Sequence, residues 1–421
     1  MSVETVAALK LTLHSQLVGY VTGHSNGKNV LTLAPDYIAD PQRRTLTLSH
    51  LNPDVFRRQL ADKHPYVTHH RLHPVLSNLL PEGALRSLVA QAMKVHPDSE
   101  FPLLSWLGLD LPGALVATPV SADHIPAYAL GNHGKINPVS IDTPDHRSHF
   151  SLAGVQMKFS MHNRDGCYIT ADPAAPGDWI IKTPSTVHPF VPLNEYTCMQ
   201  LAQLAGVDIP EIRLIGMDMI DSLPAINLPD EQWAYGIRRY DRLAGGQRVH
   251  SEDFAQVLYA YAHDKYRSGR YEQIARLLYT QTRHGQRDVM QMAVRLLVNV
   301  LLANGDAHLK NWSLIYPDTS SAELSPAYDI VATKVFIPGE SQFALNMADT
   351  KAWYDVSLEH FKRWAETSGI PWRPVLVHLR ETLDAARTLW PEALAASVMK
   401  PNQQAILRQH WQQLHADFRI S

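Results

Sequence analysis

Cysteine is scarce in this chain of 421 residues, and positive charge is not in excess. The chain has only two cysteines, Cys167 and Cys198, which are too few for a disulfide framework and lack the C-x-x-C spacing of a zinc site. Lys and Arg total 38 against 41 Asp and Glu, for a net charge of -3. This balance excludes the basic footprint of a dedicated DNA-binding domain. Any contact with nucleic acid is therefore expected to be local or made through a partner.

Long apolar runs are also missing. No stretch approaches the length needed to cross a bilayer, and the start of the chain has Glu4 where a signal peptide would be basic. Together with the low cysteine content, this predicts a cytoplasmic protein without a membrane contact. Hydrophobic residues make up 45% and charged residues 19% of the chain, a globular balance, and the length predicts two or three packed units.

The first of these units is predicted over residues 1–125 and is rich in β-structure. Residues 7–22 alternate apolar and polar side chains around Ser15-Gln16, which predicts a hairpin, and residues 29–33 predict a third strand. A helical spacing follows Pro81, and a second strand-rich region lies near residues 113–119. Residues 131–147 are rich in Gly, Asn, Pro, His and Asp without periodicity, so we expect an exposed loop or hinge there.

The remaining sequence predicts a small sheet over residues 126–242 and a mainly helical unit over residues 243–421. Short β-type runs occur at 157–161, 168–170, 179–182, 212–217 and 233–240, interrupted by one helix at 193–205. Helical patterns follow at 289–303, 357–367, 372–389 and 403–418. The expected fold class is α+β.

The segment with the clearest chemistry is 304–311, Asn-Gly-Asp-Ala-His-Leu-Lys-Asn, between an apolar helix and a short strand. The spacing from Asp306 to Asn311 equals that of the protein-kinase catalytic loop, in which the Asp accepts the proton of the substrate hydroxyl and the Asn holds Mg²⁺. Phosphoryl transfer needs positioning more than covalent help, so one tight loop can present both groups. Asn-Gly-Asp is also typical of a helix C-terminal turn, and the loop alone leaves both interpretations open.

Two further residues complete a kinase-like order along the chain. The Trp-Ile-Ile-Lys run at 179–182 is an apolar strand that ends in Lys182, the form of the kinase strand whose Lys pairs with nucleotide phosphates. After the 304–311 loop, Asp329 follows a Pro-containing turn and is a candidate second metal ligand. A solvated strand end and a turn Asp explain either residue alone. The order Lys182, Asp306, Asp329 is much less expected by chance than any one of these residues alone.

Two weaker signals lie near Lys182. The small and polar residues 151–160, Ser-Leu-Ala-Gly-Val-Gln-Met-Lys-Phe-Ser, lead into a strand and could close over phosphates. They contain a single Gly, so a plain β-turn is the alternative. Glu195, near the start of the predicted helix 193–205, could pair with Lys182 as the kinase helix Glu does. The helix dipole alone also accounts for an acidic residue there.

Segments from both halves of the chain resemble the HipA-type toxins of bacterial HipBA toxin-antitoxin operons. The segments are Leu-Pro-Glu-Gly-Ala-Leu-Arg at 80–86, Asp-Leu-Pro-Gly-Ala at 110–114, the 151–158 loop, 189–196, 239–242, 250–254, the 304–311 loop and Tyr328-Asp329. The resemblance implies a two-lobed, lipid-kinase-like core with a mixed β-sheet N-lobe and a mainly helical C-lobe. A small β-rich N-terminal subdomain precedes this core.

The same resemblance implies ATP and Mg²⁺ as cofactors and assigns roles to residues. It implies Asp306 as the base, Asn311 and Asp329 as Mg²⁺ ligands, and Ser151 as a self-phosphorylation site. The residues it implies for nucleotide binding are Ala153, Gly154, Val155, Gln156, Lys158, Lys182, Arg238, Arg239, Tyr240, Asp241, His308, Lys310, Asn311, Tyr328 and Asp329. Residues 238–240 would form the adenine hinge and Asp241 would meet the ribose. Phosphate on Ser151 would repel ATP phosphates and silence the site.

The implied function is that of a serine/threonine protein kinase toxin. A HipB-like helix-turn-helix antitoxin would neutralise it, and contact with DNA would be made mainly through this antitoxin. Proteins of translation, such as aminoacyl-tRNA synthetases, are the implied substrate class, and no residue selects one. A non-catalytic antitoxin-binding co-repressor and a small-molecule phosphotransferase stay open as alternatives. Loss of growth arrest in Asp306→Ala separates an enzyme from a binder, and phosphate mapping on a co-expressed proteome separates protein from small-molecule acceptors.

Overall fold

The computed structural model describes residues 3–52, 54, 56–57, 64–131, 136–141, 157–164, 167–170, 177–221, 223, 227–318 and 320–421. Over these residues the chain has the predicted α+β architecture. Its strands form a six-stranded N-terminal sheet, a second six-stranded sheet, and two small sheets of three and two strands. Most of the long helices follow the second large sheet. None of the helices in this part of the chain combines the length and apolar character needed to cross a bilayer.

The N-terminal sheet has the order β4-β3-β2-β1-β5, with β6 parallel to β1. Its strands are β1 Glu4–Leu13, β2 Gln16–His24, β3 Lys28–Leu33, β4 Tyr66–His69, β5 Leu115–Val120 and β6 Ile136–Pro138. The predicted hairpin is confirmed as β1 and β2. Its turn residues His14 and Ser15 both have positive φ, at 46° and 71°, the conformation that suits the twist of a two-residue hairpin. The loop predicted at 131–147 is wrong at residues 136–138, because this short segment pairs with β1.

Helices cover both faces of this sheet. They are α1 Pro35–Ala39, α2 Pro74–Ser77, α3 Gly83–Ala92, α4 Glu100–Leu107 and α5 Ala127–Leu130, and Ala129 of α5 packs with Ala8 of β1 on the side opposite to Leu9. Alternation along β1 places Leu9, Leu11 and Leu13 on one side of the sheet. These side chains share a core with Leu85 and Val89 of α3, which is the apolar face that the sequence predicted for the helix after Pro81. The N-terminal unit therefore has a hydrophobic core of its own.

The second large sheet has the order β10-β12-β9-β7-β8-β11. Its strands are β7 Lys158–Arg164, β8 Cys167–Thr170, β9 Trp179–Lys182, β10 Ile212–Gly216, β11 Ile220–Asp221 and β12 Trp233–Arg238. All pairs are antiparallel except β8 with β11, so the sheet is mixed, as predicted. Helix α6, Val191–Leu204, packs against β10 and β12. This sheet and helix lie in the region that the resemblance predicts as the N-lobe.

The last unit is mainly helical and contains the two small sheets. Its strands are β13 His250–Asp253, β14 Ser313–Tyr316, β15 Glu323–Leu324, β16 Gln342–Met347 and β17 Thr350–Ala352. Its helices are α7 Phe254–Val257, α8 Tyr271–Gln281, α9 Gly285–Leu301, α10 Leu358–Ser368, α11 Trp372–Ala396 and α12 Pro401–Gln413. Short 3-10 turns in the described residues include Leu48–His50, Ala122–His124, Met217–Met219, Ala244–Gly246, Ala262–Asp264, Leu309–Asn311, Thr333–Val335, Trp353–Asp355 and Ala416–Phe418.

Helix α9 is the centre of this unit, since residues 288–301 are buried except for Gln291. Because this helix is buried and ends at Leu301, it fixes the position at which the 304–311 loop begins. Helix α11 runs longer than the predicted 372–389, because it continues through Pro391 to Ala396. Trp390 and Leu394 are fully buried on either side of this proline, and their burial offsets the roughly 3 kcal/mol that an internal proline costs a helix.

Candidate active site

A cavity of about 270 Å³ lies between the N-lobe sheet and the helical unit. Every described residue predicted to bind nucleotide, together with the predicted base Asp306, lines it: Lys158, Lys182, Arg238, Arg239, Tyr240, Asp241, Asp306, His308, Lys310, Asn311, Tyr328 and Asp329. The predictions for Ser151, Ala153, Gly154, Val155 and Gln156 lie outside the described residues. The fold thus brings together predicted site residues that are up to 171 positions apart in the sequence, as Lys158 and Asp329 are.

Lys182 lies at the centre of the N-lobe side of this cavity. It is the last residue of β9 and is almost fully buried. Its Nζ atom donates to Oε1 of Glu195 on α6 and to Oδ1 of Asp329. Glu195 is therefore the partner of Lys182, and the helix dipole is not the only reason for an acidic residue there. The ion pair ties the sheet, α6 and the Asp329 turn together.

Asp329 stands in the left-handed backbone region, with φ of 55°, a conformation that a non-glycine residue adopts at some energetic cost. This conformation brings its carboxylate onto two lysines, with Lys158 Nζ 3.0 Å from Oδ2 and Lys182 on Oδ1. Burial alone raises the pKa of Asp329, but Lys158 and Lys182 outweigh it and hold the pKa far below its usual range. Asp329 is thus a fixed negative charge.

The 304–311 loop is shaped by its own asparagines. The Asn304 amide donates to Asn299 Oδ1 at 2.9 Å and its oxygen accepts the Asp306 N–H at 3.1 Å. Asn311 donates from Nδ2 to the Asp306 carbonyl at 2.8 Å. The Asn311 amide nitrogen is therefore committed to the loop, and its oxygen is the atom left for a ligand. These side-chain hydrogen bonds give the segment a defined loop structure beyond that of a helix C-terminal turn.

Asp306 itself is half exposed at the mouth of the cavity. Its Oδ1 atom accepts a hydrogen bond from the Tyr266 hydroxyl at 2.5 Å. His308, two residues along, is buried, and burial lowers its pKa to about 4. The imidazole is neutral at pH 7 and packs edge-on against the Tyr266 ring, with centroids 5.0 Å apart. Sequence reasoning missed Tyr266, since no local pattern links it to Asp306.

The N-terminal unit contributes directly to the site through its Leu-Pro-Glu-Gly segment. Lys310 donates to the Asn78 carbonyl at 2.7 Å and to Asp253 Oδ2 at 3.1 Å, and lies 3.5 Å from Glu82 Oε1. Glu82 also pairs with Lys265 at 2.9 Å. Burial alone raises the pKa of Glu82, but Lys310 and Lys265 outweigh it and lower the pKa. The predicted part of Lys310 in nucleotide binding stays a prediction, because its ammonium already has these partners.

The hinge after β12 is joined to the N-terminal unit by a buried charge cluster. Asp241 accepts from Arg239 at 2.8 Å, from Arg242 at 2.9 Å and from the Gly113 N–H at 2.7 Å. Asp110 accepts from the same two arginines at 3.2 and 2.8 Å. The three contacts of Asp241 fall on its Oδ2, and its Oδ1 accepts from Arg239 Nε at 2.9 Å. Both Asp241 oxygens are thus engaged, and the predicted contact of Asp241 with a ribose stays a prediction.

Aromatic and aliphatic groups supply the apolar lining of the cavity. The rings of Tyr240 and Tyr328 stack with centroids 5.8 Å apart, and Ile180 and Ile237 line the same cavity. The Tyr328 hydroxyl donates to the Lys310 carbonyl at 2.8 Å, so this wall is fixed to the 304–311 loop. A mixed apolar and charged cavity of this kind suits a nucleotide, which has an apolar base and an anionic tail.

The donor set fits magnesium rather than a softer metal. Asn311 and Asp329 offer an amide oxygen and a carboxylate, the oxygen ligands that Mg²⁺ prefers, and Mg²⁺ sites at nucleotides commonly use one or two protein groups plus phosphates. In the described part of the chain there is no group of three or more His, Cys, Asp or Glu side chains that could hold a metal unaided. A metal here would therefore need the phosphate oxygens as further ligands.

Two family models and several known proteins match this chain. A family described as "HipA-like C-terminal domain" matches residues 150–390, and one described as "HipA N-terminal domain" matches residues 9–118. A Sinorhizobium fredii protein, Y4dM, whose naming as a kinase is provisional, is 37% identical over 389 residues, which cover 91% of each chain. The serine/threonine-protein kinase toxin HipA of Shewanella oneidensis is 25% identical over 318 residues, 67% of this chain and 68% of that protein.

A solved structure of the Shewanella oneidensis MR-1 toxin-antitoxin system HipA, HipB and its operator DNA contains a chain with the same fold. The TM-score is 0.70 at 19% identity, and the match covers 96% of this chain and 95% of the other. The HipA-like C-terminal match spans more than half of the sequence, and the 37% identical relative is covered nearly end to end. The chain therefore belongs to the HipA family.

Proposed function

We propose that this chain is the toxin of a toxin-antitoxin pair and acts as an ATP- and Mg²⁺-dependent serine/threonine protein kinase. The observation that carries the proposal is the buried Lys182, which joins Glu195 and Asp329 in the cavity that also holds the Asp306 loop. A Lys–Glu pair of this type and a neighbouring metal-binding Asp are the parts that kinases need in place for phosphoryl transfer.

Lys158 and Lys182 supply the positive charge for the nucleotide phosphates. Both ammonium groups contact Asp329, so phosphate oxygens would compete with this carboxylate for the two lysines. Asn311 and Asp329 would hold Mg²⁺, which when bound neutralises charge on the transferred phosphoryl group. The stacked Tyr240 and Tyr328 belong to the apolar lining that would take the adenine.

Asp306 would act on the acceptor. Its half-exposed carboxylate can be reached from solvent by a protein side chain. The seryl or threonyl oxygen of the acceptor forms a bond to the γ-phosphorus, its proton passes to Asp306, and the bond from that phosphorus to the β–γ bridging oxygen breaks to release ADP. His308, in the same loop, is neutral at pH 7 because burial lowers its pKa to about 4, so it places no positive charge beside Asp306 that would make this carboxylate a weaker base.

The proposal extends to regulation and partners by way of the family. Self-phosphorylation at Ser151 would place negative charge just before Lys158 and weaken ATP binding by repulsion. A HipB-like antitoxin would neutralise the toxin and bridge it to DNA, as the named components of the related Shewanella complex suggest. The net charge of -3 suits a protein contact better than direct binding of DNA. A translation protein such as an aminoacyl-tRNA synthetase is the first class of substrate to test.

The test is transfer of labelled γ-phosphate from ATP to protein, in a lysate and on the purified chain, with and without Mg²⁺. The wild type is compared with Asp306→Asn, and Asp384→Asn serves as the matched control, because Asp384 is an exposed residue of α11. We expect Mg²⁺-dependent labelling of serine or threonine that falls at least about 100-fold in Asp306→Asn and is unchanged in the control. Equal labelling in all three proteins would refute the kinase assignment.

Growth arrest on expression of the same three proteins distinguishes the alternatives. An enzyme loses toxicity in Asp306→Asn, whereas a non-catalytic co-repressor keeps its effect in all three. If the lysate shows labelled small molecules and unlabelled protein, the chain is a small-molecule phosphotransferase instead.

A further inference from the structure

Tyr266 contacts the proposed base although nothing in the function assigned above uses it. It lies between the Ala262–Asp264 turn and α8, 40 residues before Asp306 in the sequence. Its hydroxyl donates to Asp306 Oδ1 at 2.5 Å. Among the described residues, this is the hydrogen bond that the Asp306 carboxylate accepts from a side chain. About 40% of the tyrosine remains exposed, so this contact forms at the protein surface and is accessible to an incoming group.

The Tyr266 segment is anchored on both sides. The ring packs edge-on against His308, with centroids 5.0 Å apart. The neighbouring Lys265 accepts the Leu309 N–H on its carbonyl at 3.3 Å and pairs with Glu82 at 2.9 Å. The position of the hydroxyl is therefore set by the catalytic loop and by the N-terminal unit, and is not an accident of a loose surface side chain.

A phenol hydroxyl presents the same kind of donor to Asp306 as an acceptor serine or threonine does. Burial and the neighbouring Asp306 raise the pKa of Tyr266, so the phenol stays protonated and keeps donating. Without this contact, a half-exposed carboxylate would accept hydrogen bonds from water. Water bound there is a potential nucleophile toward the γ-phosphate.

We propose that Tyr266 is a specificity-determining residue that holds the acceptor position on Asp306 and keeps water out until a protein hydroxyl displaces it. This inference rests on the proposed kinase function. In the reaction that Tyr266 suppresses, a water oxygen bonds to the γ-phosphorus and its proton passes to Asp306. The bond to the β–γ bridging oxygen breaks, giving ADP and inorganic phosphate.

The experiment compares wild type, Tyr266→Phe, Asp306→Asn and the double variant. Tyr128→Phe, an exposed tyrosine of the N-terminal unit, is the matched control. Phenylalanine keeps the ring on His308 and removes only the hydroxyl. For each protein, phosphate release from Mg-ATP without acceptor and label transfer to protein are measured in parallel. We expect Tyr266→Phe to raise phosphate release about 3- to 10-fold while transfer to protein is retained, and the double variant to lose both.

Three results would contradict the inference. If Tyr266→Phe lowers hydrolysis and transfer together, Tyr266 only orients Asp306. If it changes neither while the wild type transfers phosphate, the hydroxyl has no part in the choice of acceptor, and the kinase assignment survives. If the wild type neither transfers nor hydrolyses and matches Asp306→Asn, the kinase assignment itself fails, and the inference fails with it.

Discussion

The Lys310 ammonium and the Asn78 carbonyl are 2.7 Å apart, although 232 residues separate them in the sequence. Lys310 belongs to the loop that carries Asp306 and Asn311, whereas Asn78 belongs to the N-terminal unit. The loop is therefore held from outside the two lobes of the kinase core. The N-terminal unit is a structural part of the candidate active site and more than an appended domain.

Glu82 provides the first prediction, because it joins Lys265 and Lys310 at the mouth of the cavity. We expect Glu82→Gln to lower kcat for phosphate transfer about 3- to 10-fold and to leave the Kd for ATP nearly unchanged, since the loop loses an anchor and the nucleotide pocket keeps its groups. Steady-state kinetics with ATP titration measures both quantities. Glu359→Gln, on the exposed face of α10, is the control, and equal kcat in the two variants would contradict the anchoring role.

Asp110 provides a prediction about stability. It pairs with the buried Arg239 and Arg242 across the contact between the N-terminal unit and the hinge. Asp110→Asn keeps the shape of the side chain but removes its charge, leaving Asp241 as the remaining carboxylate partner. We expect a loss of about 1–3 kcal/mol in the free energy of unfolding, seen as a lower midpoint in urea. The substitution Asp123→Asn, at an exposed residue, should leave the midpoint unchanged. An unchanged midpoint in Asp110→Asn would show that the charge cluster of Asp110, Arg239 and Arg242 adds no stability.

Glu252 provides a prediction about pH. It is buried, accepts the Leu48 N–H at 2.7 Å and the Tyr316 hydroxyl, and burial raises its pKa from 4.5 to about 7. A raised pKa means that the folded chain keeps a proton that the unfolded chain has lost between these values. The stabilising contribution is complete below pH 4.5 and is lost as the pH rises through 7.

Replacing Glu252 with Gln keeps the acceptor oxygen and removes the ionisation. The free energy of unfolding of Glu252→Gln relative to wild type should therefore rise between pH 5 and pH 8, by on the order of 2–3 kcal/mol. Urea unfolding at both pH values measures this difference. If the difference in the free energy of unfolding between the two proteins stays constant with pH, the pKa of Glu252 is the same in the folded and the unfolded chain.

Local patterns in the sequence were sufficient for much of the secondary structure. The hairpin at β1 and β2 and the buried face of α9 follow from periodicity, because each depends on neighbours within one element. The end of α11 did not follow, since Pro391 predicts a stop and only the burial of Trp390 and Leu394 explains why the helix continues. The pairing of residues 136–138 with β1 is likewise a tertiary contact that an aperiodic segment does not reveal.

In the candidate site, too, some features follow from the sequence and others depend on tertiary contacts. The order of Lys182, Asp306 and Asp329, together with the HipA-family resemblance, predicted which groups line the cavity, and the structure brings them together. The contacts of Glu82 with Lys310 and of Tyr266 with Asp306 join residues far apart in the chain. A single sequence contains no local signal for either. The commitment of Asp241 to Arg239, Arg242 and Gly113 was missed for the same reason.

Calorimetric titration with ATP shows whether Lys182, Asn311 and Asp329 form a site for Mg-ATP. Wild type and Asp329→Asn are titrated with and without Mg²⁺, with Asp384→Asn as the control. We expect the wild type and control to bind ATP at least about tenfold more tightly with Mg²⁺, and Asp329→Asn to lose this difference. Absence of ATP binding by a folded wild-type protein, or the same Mg²⁺ dependence in Asp329→Asn, would rule out a Mg-ATP site at these residues.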